Sequence, residues 1–166
     1  MIESIYILDS TAFYSGFPFQ GDGRYYTTYL VLDETKHHNI AAPLIHTRVQ
    51  VVEPSRESVQ RVKMAARRTG DISSLSEADA SILATALEMA TSRMNEQVVL
   101  VTDDFAVRNV GEALGINLSE TSIRGEWRKI TWTTYCKGCG KEFMDSKATV
   151  CDVCGTKLSR KPNTNA

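Results

Sequence analysis

Ile5-Tyr6-Ile7-Leu8-Asp9 is a short apolar run that does not alternate and that ends on a carboxylate. β-Branched and aromatic residues in unbroken sequence, with no polar face, are the pattern of a strand buried on both sides. The pattern returns at Val98-Val99-Leu100-Val101, followed by Thr102-Asp103-Asp104. Helical signals lie between the two. Ser55, after Pro54, can cap a helix running to about Thr69, where Gly70 stops it. Ser76 opens a second helix with Ile82, Leu83, Ala86, Leu87 and Ala90 on one face, and a third is predicted from Phe105 to Leu114, before a short strand at Gly115 to Leu118. Thr27 to Thr35 reads as a short helix or turn, and Ala41 to Val52 as one or two short extended segments. Unalternating strands separated by helices predict an α/β domain with a mostly parallel sheet covered on both faces. In such sheets ligands bind beyond the carboxyl ends of the strands, which is where Asp9 and the Asp103-Asp104 pair are predicted to lie.

The 166 residues suffice for one domain of ordinary size and a small second unit. The expected division is a main domain over 1–120, a linker and strand over 121–134, a cysteine module over 135–158 and a disordered tail over 159–166. No apolar run approaches the roughly 20 residues that span a bilayer, so no membrane segment is expected. The N-terminus lacks the basic head, apolar middle and cleavage site of a signal peptide, so a cytoplasmic protein is expected. The net charge of -1 hides an asymmetry. Residues 1–123 hold 10 Lys and Arg against 16 Asp and Glu, whereas residues 124–166 hold 9 against 4. A basic tail suits a polyanionic partner such as nucleic acid, and an acidic body suits cations, although uneven surface composition alone produces the same split.

Cys136-Lys137-Gly138-Cys139-Gly140 and Cys151-Asp152-Val153-Cys154-Gly155 are two copies of one C-x-x-C-G turn, 11 residues apart. In a reducing compartment such pairs point to a metal rather than to disulfides. Four thiolates satisfy a tetrahedral Zn²⁺ at about 2.3 Å per bond, and glycine after the second cysteine lets the turn fold back without a Cβ clash. A rubredoxin-type iron site shares the spacing. Four sulfurs leave no open coordination position, so the metal is expected to be structural.

Asp9, Glu34, Asp79, Asp103 and Asp104 are distant in sequence, yet each is predicted near one edge of the sheet. Each also has a plain structural reading: Asp9 as a helix cap, Glu34 as half of a solvated pair with Asp33, and Asp79 as the third residue of a capping box begun by Ser76. Clustered carboxylates repel unless a cation neutralises them, and hard cations such as Mg²⁺ or Mn²⁺ choose oxygen ligands. Such ions support phosphodiester cleavage. The chain has no P-loop, no G-x-G-x-x-G and no G-x-S-x-G, and His37, His38 and His46 stand in contexts of surface or core residues rather than ligands.

Ile7-Leu8-Asp9-Ser10-Thr11-Ala12, Glu34 after Val31-Leu32-Asp33, Leu75-Ser76-Glu77-Ala78-Asp79, and Thr102-Asp103-Asp104-Phe105 together resemble the PIN-domain ribonucleases, with all four stations in family order. Thr69-Gly70-Asp71, Asp104-Phe105-Ala106-Val107-Arg108-Asn109-Val110 and the four-cysteine ribbon narrow the resemblance to the nucleases that mature the 3′ end of small-subunit ribosomal RNA. The resemblance implies a PIN-like nuclease domain over 1–120, a zinc ribbon over 135–158 and a metal-dependent endoribonuclease acting on precursor small-subunit rRNA in a pre-ribosomal particle with its assembly factors. It implies Asp9, Glu34, Asp79 and Asp104 as ligands of Mn²⁺ or Mg²⁺, with Asp103 as an outer helper and Thr11 or Thr102 orienting a ligand or water. The long insertion of larger members is absent here.

A nuclease for single-stranded RNA needs phosphate contacts and stacking surfaces. Candidates for the first are Arg61, Lys63, Arg67 and Arg68 on one predicted helix, and Arg128, Lys129, Lys137 and Lys141 in or near the ribbon. Arg124, Lys147, Lys157, Arg160 and Lys161 extend that second group. Phe17, Phe19, Tyr25 and Tyr26 flank the glycine loop after Asp9, where stacking and core packing are both open. Two competing readings are a toxin-like PIN ribonuclease, which would normally lack the ribbon, and a non-catalytic RNA-binding assembly factor, against which the intact carboxylates speak.

Overall fold

The computed structural model of the chain describes residues 4–15, 17, 23–36, 47–121, 131–143 and 148–163. Strand β1 (Ser4–Leu8) is central in a five-stranded sheet whose other strands are β2 (Arg24–Thr27), β3 (Val49–Val51), β4 (Gln97–Val101) and β5 (Asn117–Ser119). Their order is β3-β2-β1-β4-β5, and every neighbouring pair is parallel. Ile5, Ile7 and Leu8 of β1 and Leu100 and Val101 of β4 are fully buried, as strands without a polar face must be.

The helices are α1 (Ser10–Tyr14), α2 (Tyr29–Lys36), α3 (Arg56–Thr69), α4 (Glu77–Ser92) and α5 (Phe105–Ala113). Helix α4 buries every residue but Asp79 from Ala78 to Leu87, because it packs against β1 and β4 as well as α2, α3 and α5. A helix apolar all round has to be enclosed in this way. Helix α3 instead buries one stripe, Ser58, Val62, Ala65 and Ala66, and carries its charges outward. Its predicted cap and stop are both present: the Ser55 side chain accepts from the Ser58 amide at 3.2 Å, and Gly70 adopts a left-handed φ of 86°. Among the described residues no helix is long and apolar enough to cross a membrane.

The helix expected within 27–35 is present as α2, but the strand that precedes it was not foreseen. Arg24–Thr27 is a strand, with Tyr6 opposite Tyr25 and Ile7 opposite Tyr26, and the helix begins only at Tyr29. Thr28 makes the break. Its carbonyl accepts from the Leu32 amide at 3.1 Å, and its hydroxyl meets the Val31 amide at 3.4 Å and the Ser81 hydroxyl at 2.7 Å. This buried hydroxyl pair ties α2 to α4. Of the extended segments expected over 41–52, Val49–Val51 is a strand, while residues 41–46 lie outside the described residues.

The C-terminal module is a three-stranded antiparallel sheet in the order β7-β6-β8, formed by β6 (Thr131–Cys136), β7 (Glu142–Phe143) and β8 (Leu158–Asn163). Residues 159–163, expected to be disordered, are therefore ordered strand, and the unit runs from 131 to 163 rather than from 135 to 158. Six residue pairs, from Thr131 with Asn163 to Cys136 with Leu158, hold β8 in register. Pro162 misled the sequence reading, but β8 is an edge strand, the one place in a sheet where a residue without an N–H is tolerated. Arg160 of β8 donates to the Gly70 carbonyl and, at 3.1 Å, to the Ser74 hydroxyl, which brings a cation to the carbonyl end of α3.

Candidate active site

Asp9 stands where β1 ends, its amide bonded to the Val101 carbonyl of β4 at 3.2 Å. Only 1% of the residue is exposed. Oδ1 accepts from the Ser10 amide at 2.7 Å, and Oδ2 accepts from the Thr102 hydroxyl at 2.6 Å and the Thr11 hydroxyl at 3.3 Å. Both hydroxyls are themselves acceptors: Thr102 from the Asp104 amide at 3.1 Å, and Thr11 from the Asp103 amide at 3.0 Å. The turns after β1 and β4 are thus knitted around one buried carboxylate. Beneath them, buried Arg108 donates to the Thr102 carbonyl at 3.2 Å and pairs with Glu120 at 3.4 Å. Nothing in the sequence signalled this role for Arg108, because the arginine and its partners meet only once the sheet is assembled.

Asp79 and Asp104 are helix caps and members of the acidic group at once. Asp79 completes a capping box: its Oδ2 accepts from the Ser76 amide at 2.7 Å while Ser76 accepts from the Asp79 amide at 3.0 Å. Asp104 caps α5, its Oδ1 accepting from the Ala106 amide at 2.8 Å and the Val107 amide at 3.0 Å. Each therefore spends one oxygen on a helix terminus, leaving the other without a hydrogen bond among the described residues. Glu34, exposed on α2, has no hydrogen bond among them. Asp103 faces elsewhere: it accepts from the Thr121 amide at 2.9 Å and from the Thr121 hydroxyl, so its carboxylate is tied to the chain beyond β5.

The group is electrostatically unfavourable by itself. Burial raises the pKa of Asp9 above the ordinary carboxylate range, the hydrogen bonds from Thr102 and Ser10 partly offset this, and the charges of Asp79 and Asp104 add to the rise. Glu34 is raised by partial burial and by Asp79 and Asp9, and Asp79 by burial and by Asp104 against the lowering bonds of Ser76. A carboxyl with a raised folded pKa contributes stability at acid pH and loses it as pH rises through that value. Asp79→Asn keeps an acceptor for the Ser76 amide and removes the charge. In protein without added Mn²⁺ or Mg²⁺, its melting temperature is expected to match wild type at acid pH and to exceed it by roughly 2–4 °C at neutral pH, the scale of 1 kcal/mol in a chain of this size. A thermal melt series across pH checks this, and a variant less stable at neutral pH would contradict it.

No Lys or Arg pairs with Asp9, Glu34, Asp79 or Asp104 among the described residues. Oxygen donors with a remaining lone pair and no cationic partner fit a hard divalent ion.

Of the predicted phosphate contacts, Lys63 is paired with Glu77 at 2.8 Å and Lys141 with Asp152 at 2.6 Å. Arg61, Arg67, Arg68 and Lys137 are exposed, and Arg128 and Lys129 lie outside the described residues. Of the two readings open for the aromatics around the glycine loop, packing holds for three: Tyr25 and Tyr26 are buried in β2, and Phe17 sits 5.9 Å from the Tyr6 ring and 6.4 Å from that of Tyr25. Phe19 lies outside the described residues. An aromatic that does stand at this edge is Tyr14, at the end of α1, whose phenol is raised by burial and by the charges of Glu34 and Asp9. Its spacing from Asp9, more than one helical turn, was the available signal.

In the ribbon, the Sγ atoms of Cys136, Cys139, Cys151 and Cys154 all lie within 4.8 Å of one another. The two turns repeat each other. Gly138 N–H points at Cys136 Sγ at 3.3 Å and Val153 N–H at Cys151 Sγ at 3.4 Å, while Gly140 and Gly155 return to the Cys136 and Cys151 carbonyls at 2.9 and 3.0 Å. Gly140 and Gly155 have φ of 78° and 69°, a conformation that a Cβ would strain. Four convergent sulfurs with amides aimed at them fit a structural zinc ion.

A family profile described as the PIN domain of ribonuclease matches residues 6–89. The endoribonuclease Nob1 of Pyrococcus abyssi is 37% identical over 94% of this chain and 92% of its own length. That of Archaeoglobus fulgidus is 42% identical over 65% of this chain and 62% of its own length. The ribonuclease VapC1 of Thermoplasma acidophilum is 32% identical over 68% of this chain and 54% of its own length. With its parallel sheet, its acidic edge and its cysteine ribbon, the chain belongs to the PIN-domain ribonucleases, in the family of the Nob1 endoribonucleases.

Proposed function

We propose that this endoribonuclease cleaves single-stranded precursor rRNA at the 3′ end of the small-subunit rRNA, in a pre-ribosomal small subunit in the cytoplasm, with Mn²⁺ or Mg²⁺ held by Asp9, Glu34, Asp79 and Asp104. The observation that carries the reading is the extent of the Nob1 match, which at 94% of the chain leaves too few residues outside it to exclude the ribbon. A toxin-like ribonuclease would need only the PIN portion.

A divalent ion bound by these carboxylates would lower the pKa of a water and offset charge on the leaving oxygen. The residues supply the rest. Asp9 is held in one rotamer by Thr102, Thr11 and the Ser10 amide, so its oxygens are fixed before substrate arrives. Asp79 and Asp104 are fixed by the helices they cap, and Glu34 closes the group from α2. The ribbon, with Lys137 and Lys157 exposed beside its knuckles, supports phosphate contacts that fall away with added salt.

The test is a Mn²⁺-dependent cleavage assay on an RNA spanning the small-subunit 3′ end, beside a scrambled RNA of the same length and composition. One product ending at the mature 3′ end, with the scrambled RNA cut at least tenfold more slowly, is the expected result. Equal cutting of both would sink the rRNA assignment while leaving the nuclease in place, and no cutting of either would favour the non-catalytic reading.

A further inference from the structure

Three large aromatic side chains are exposed among the described residues: Tyr14, Tyr29 and Phe105. Tyr29 lies under the Lys36 ammonium, 4.9 Å from its ring centre, on the side of α2 that carries Asp33. The other two bracket the carboxylates.

The strand order places β2, β1 and β4 side by side. Glu34 belongs to the helix after β2, Asp9 ends β1, and Asp104 follows β4, so the carboxylates form a row across the sheet's edge, roughly 10 Å from the first strand to the third. Tyr14 ends the helix that begins at Asp9, and that helix packs on α2, which puts the ring at the Glu34 end. Phe105 is the first residue of α5, directly after Asp104, at the opposite end. Tyr14 is 46% and Phe105 62% exposed, although elsewhere in this domain Tyr25 and Tyr26 are buried.

A row of three carboxylates, with Asp79 beside it, repels the phosphates it must cut, and no cation pairs with these groups among the described residues. Stacking supplies affinity without charge, and every base offers a π-face. We propose that Tyr14 and Phe105 are base-stacking platforms, one at each end of the carboxylate row, that hold the nucleobases on either side of the scissile phosphate. The proposal rests on the endonuclease reading but not on the identity of the RNA, since stacking tolerates any base.

The test uses the intact zinc-loaded protein without added Mn²⁺ or Mg²⁺, and measures by fluorescence anisotropy its binding to two 12-nucleotide single-stranded RNAs, one carrying the small-subunit 3′-end junction and one scrambled. Tyr14→Ala and Phe105→Ala are each expected to weaken binding to both RNAs by about tenfold, whereas Tyr14→Phe stays within twofold of wild type. In a series with one abasic nucleotide moved along the strand, one position should erase the difference between Tyr14→Ala and wild type, and a second, toward the other side of the junction, the difference for Phe105→Ala. Circular dichroism and zinc content control for folding. Alanine variants that bind like wild type, losses that persist at every abasic position, or a Tyr14→Phe loss as large as Tyr14→Ala would overturn the proposal. Failure of the rRNA reading shows up separately, as equal wild-type affinity for the two RNAs.

Discussion

Asp9→Asn is expected to lower the single-turnover cleavage rate by roughly three orders of magnitude or more, the scale of losing a group on which a reacting assembly depends. The substitution alters charge and little else. An asparagine oxygen can still accept from the Ser10 amide, and Thr102, now facing an amide, can turn from donor to acceptor. The fold should survive, because the Asp9 carboxyl is held above its ordinary range by burial, so its ionised form costs stability at neutral pH rather than supplying it. Two measurements separate a catalytic loss from a structural one. The variant should melt no lower than wild type in protein without added Mn²⁺, and the rise in melting temperature that Mn²⁺ produces in wild type should shrink or vanish, since any ligand that binds only the folded state stabilises it. Cleavage within tenfold of wild type would remove Asp9 from the proposed ligand set.

Cys136→Ser, or stripping of zinc with a chelator, is expected to unfold residues 131–163 while leaving the five-stranded sheet in place. The magnitude follows from what the ribbon lacks. Among its described side chains the only buried apolar residues are Cys136 and Cys151 themselves, so no hydrophobic core remains when the metal is gone. Zinc binding supplies about 10–16 kcal/mol to small modules of this kind, more than a three-stranded sheet of this size can replace. Amide NMR spectra should lose the dispersed resonances of the ribbon and keep those of β1 and β4. RNA binding should weaken, while RNA at saturating concentration is still cut. Loss of cleavage under saturation, with the sheet intact, would show that the ribbon takes part in the chemistry. A ribbon that stays folded without metal would refute the structural role of zinc.

Much of the site was visible in the chain because it obeys local rules. Asp9 and Asp104 follow unalternating apolar runs, and in a parallel sheet the residues after such runs share one edge. Asp79 could be read equally well as a cap or as a ligand. The capping role does not exclude the proposed ligand role, because the capping box takes Oδ2 and leaves Oδ1. The neighbours Asp103 and Asp104 could be ranked only through the family resemblance, which favours Asp104; in the fold they separate because β5 brings Thr121 to Asp103 and α5 presents its first amides to Asp104.

The aromatic residues were left open for a related reason. Tyr25 and Tyr26 follow a glycine-rich loop, and only pairing with β1 buries them, whereas Tyr14, to which no role was given, emerges exposed at the end of α1. The β8 strand was missed because its composition is that of a loose tail, and its order comes from a register with β6 residues 22 to 32 positions earlier.

By itself the sequence determined the alternation of elements that implies a parallel sheet, the four cysteines with their glycines, and the carboxylates at strand and helix ends to which the proposed chemistry is assigned. Those features depend on contacts within a few residues, where backbone geometry and capping leave little choice. The tertiary structure alone decided which oxygens remain after capping, which aromatics face solvent, and where the ribbon ends. Each of these depends on atoms that meet across long sequence separations, and burial and pairing of that kind are set by the assembled fold rather than by any local stretch.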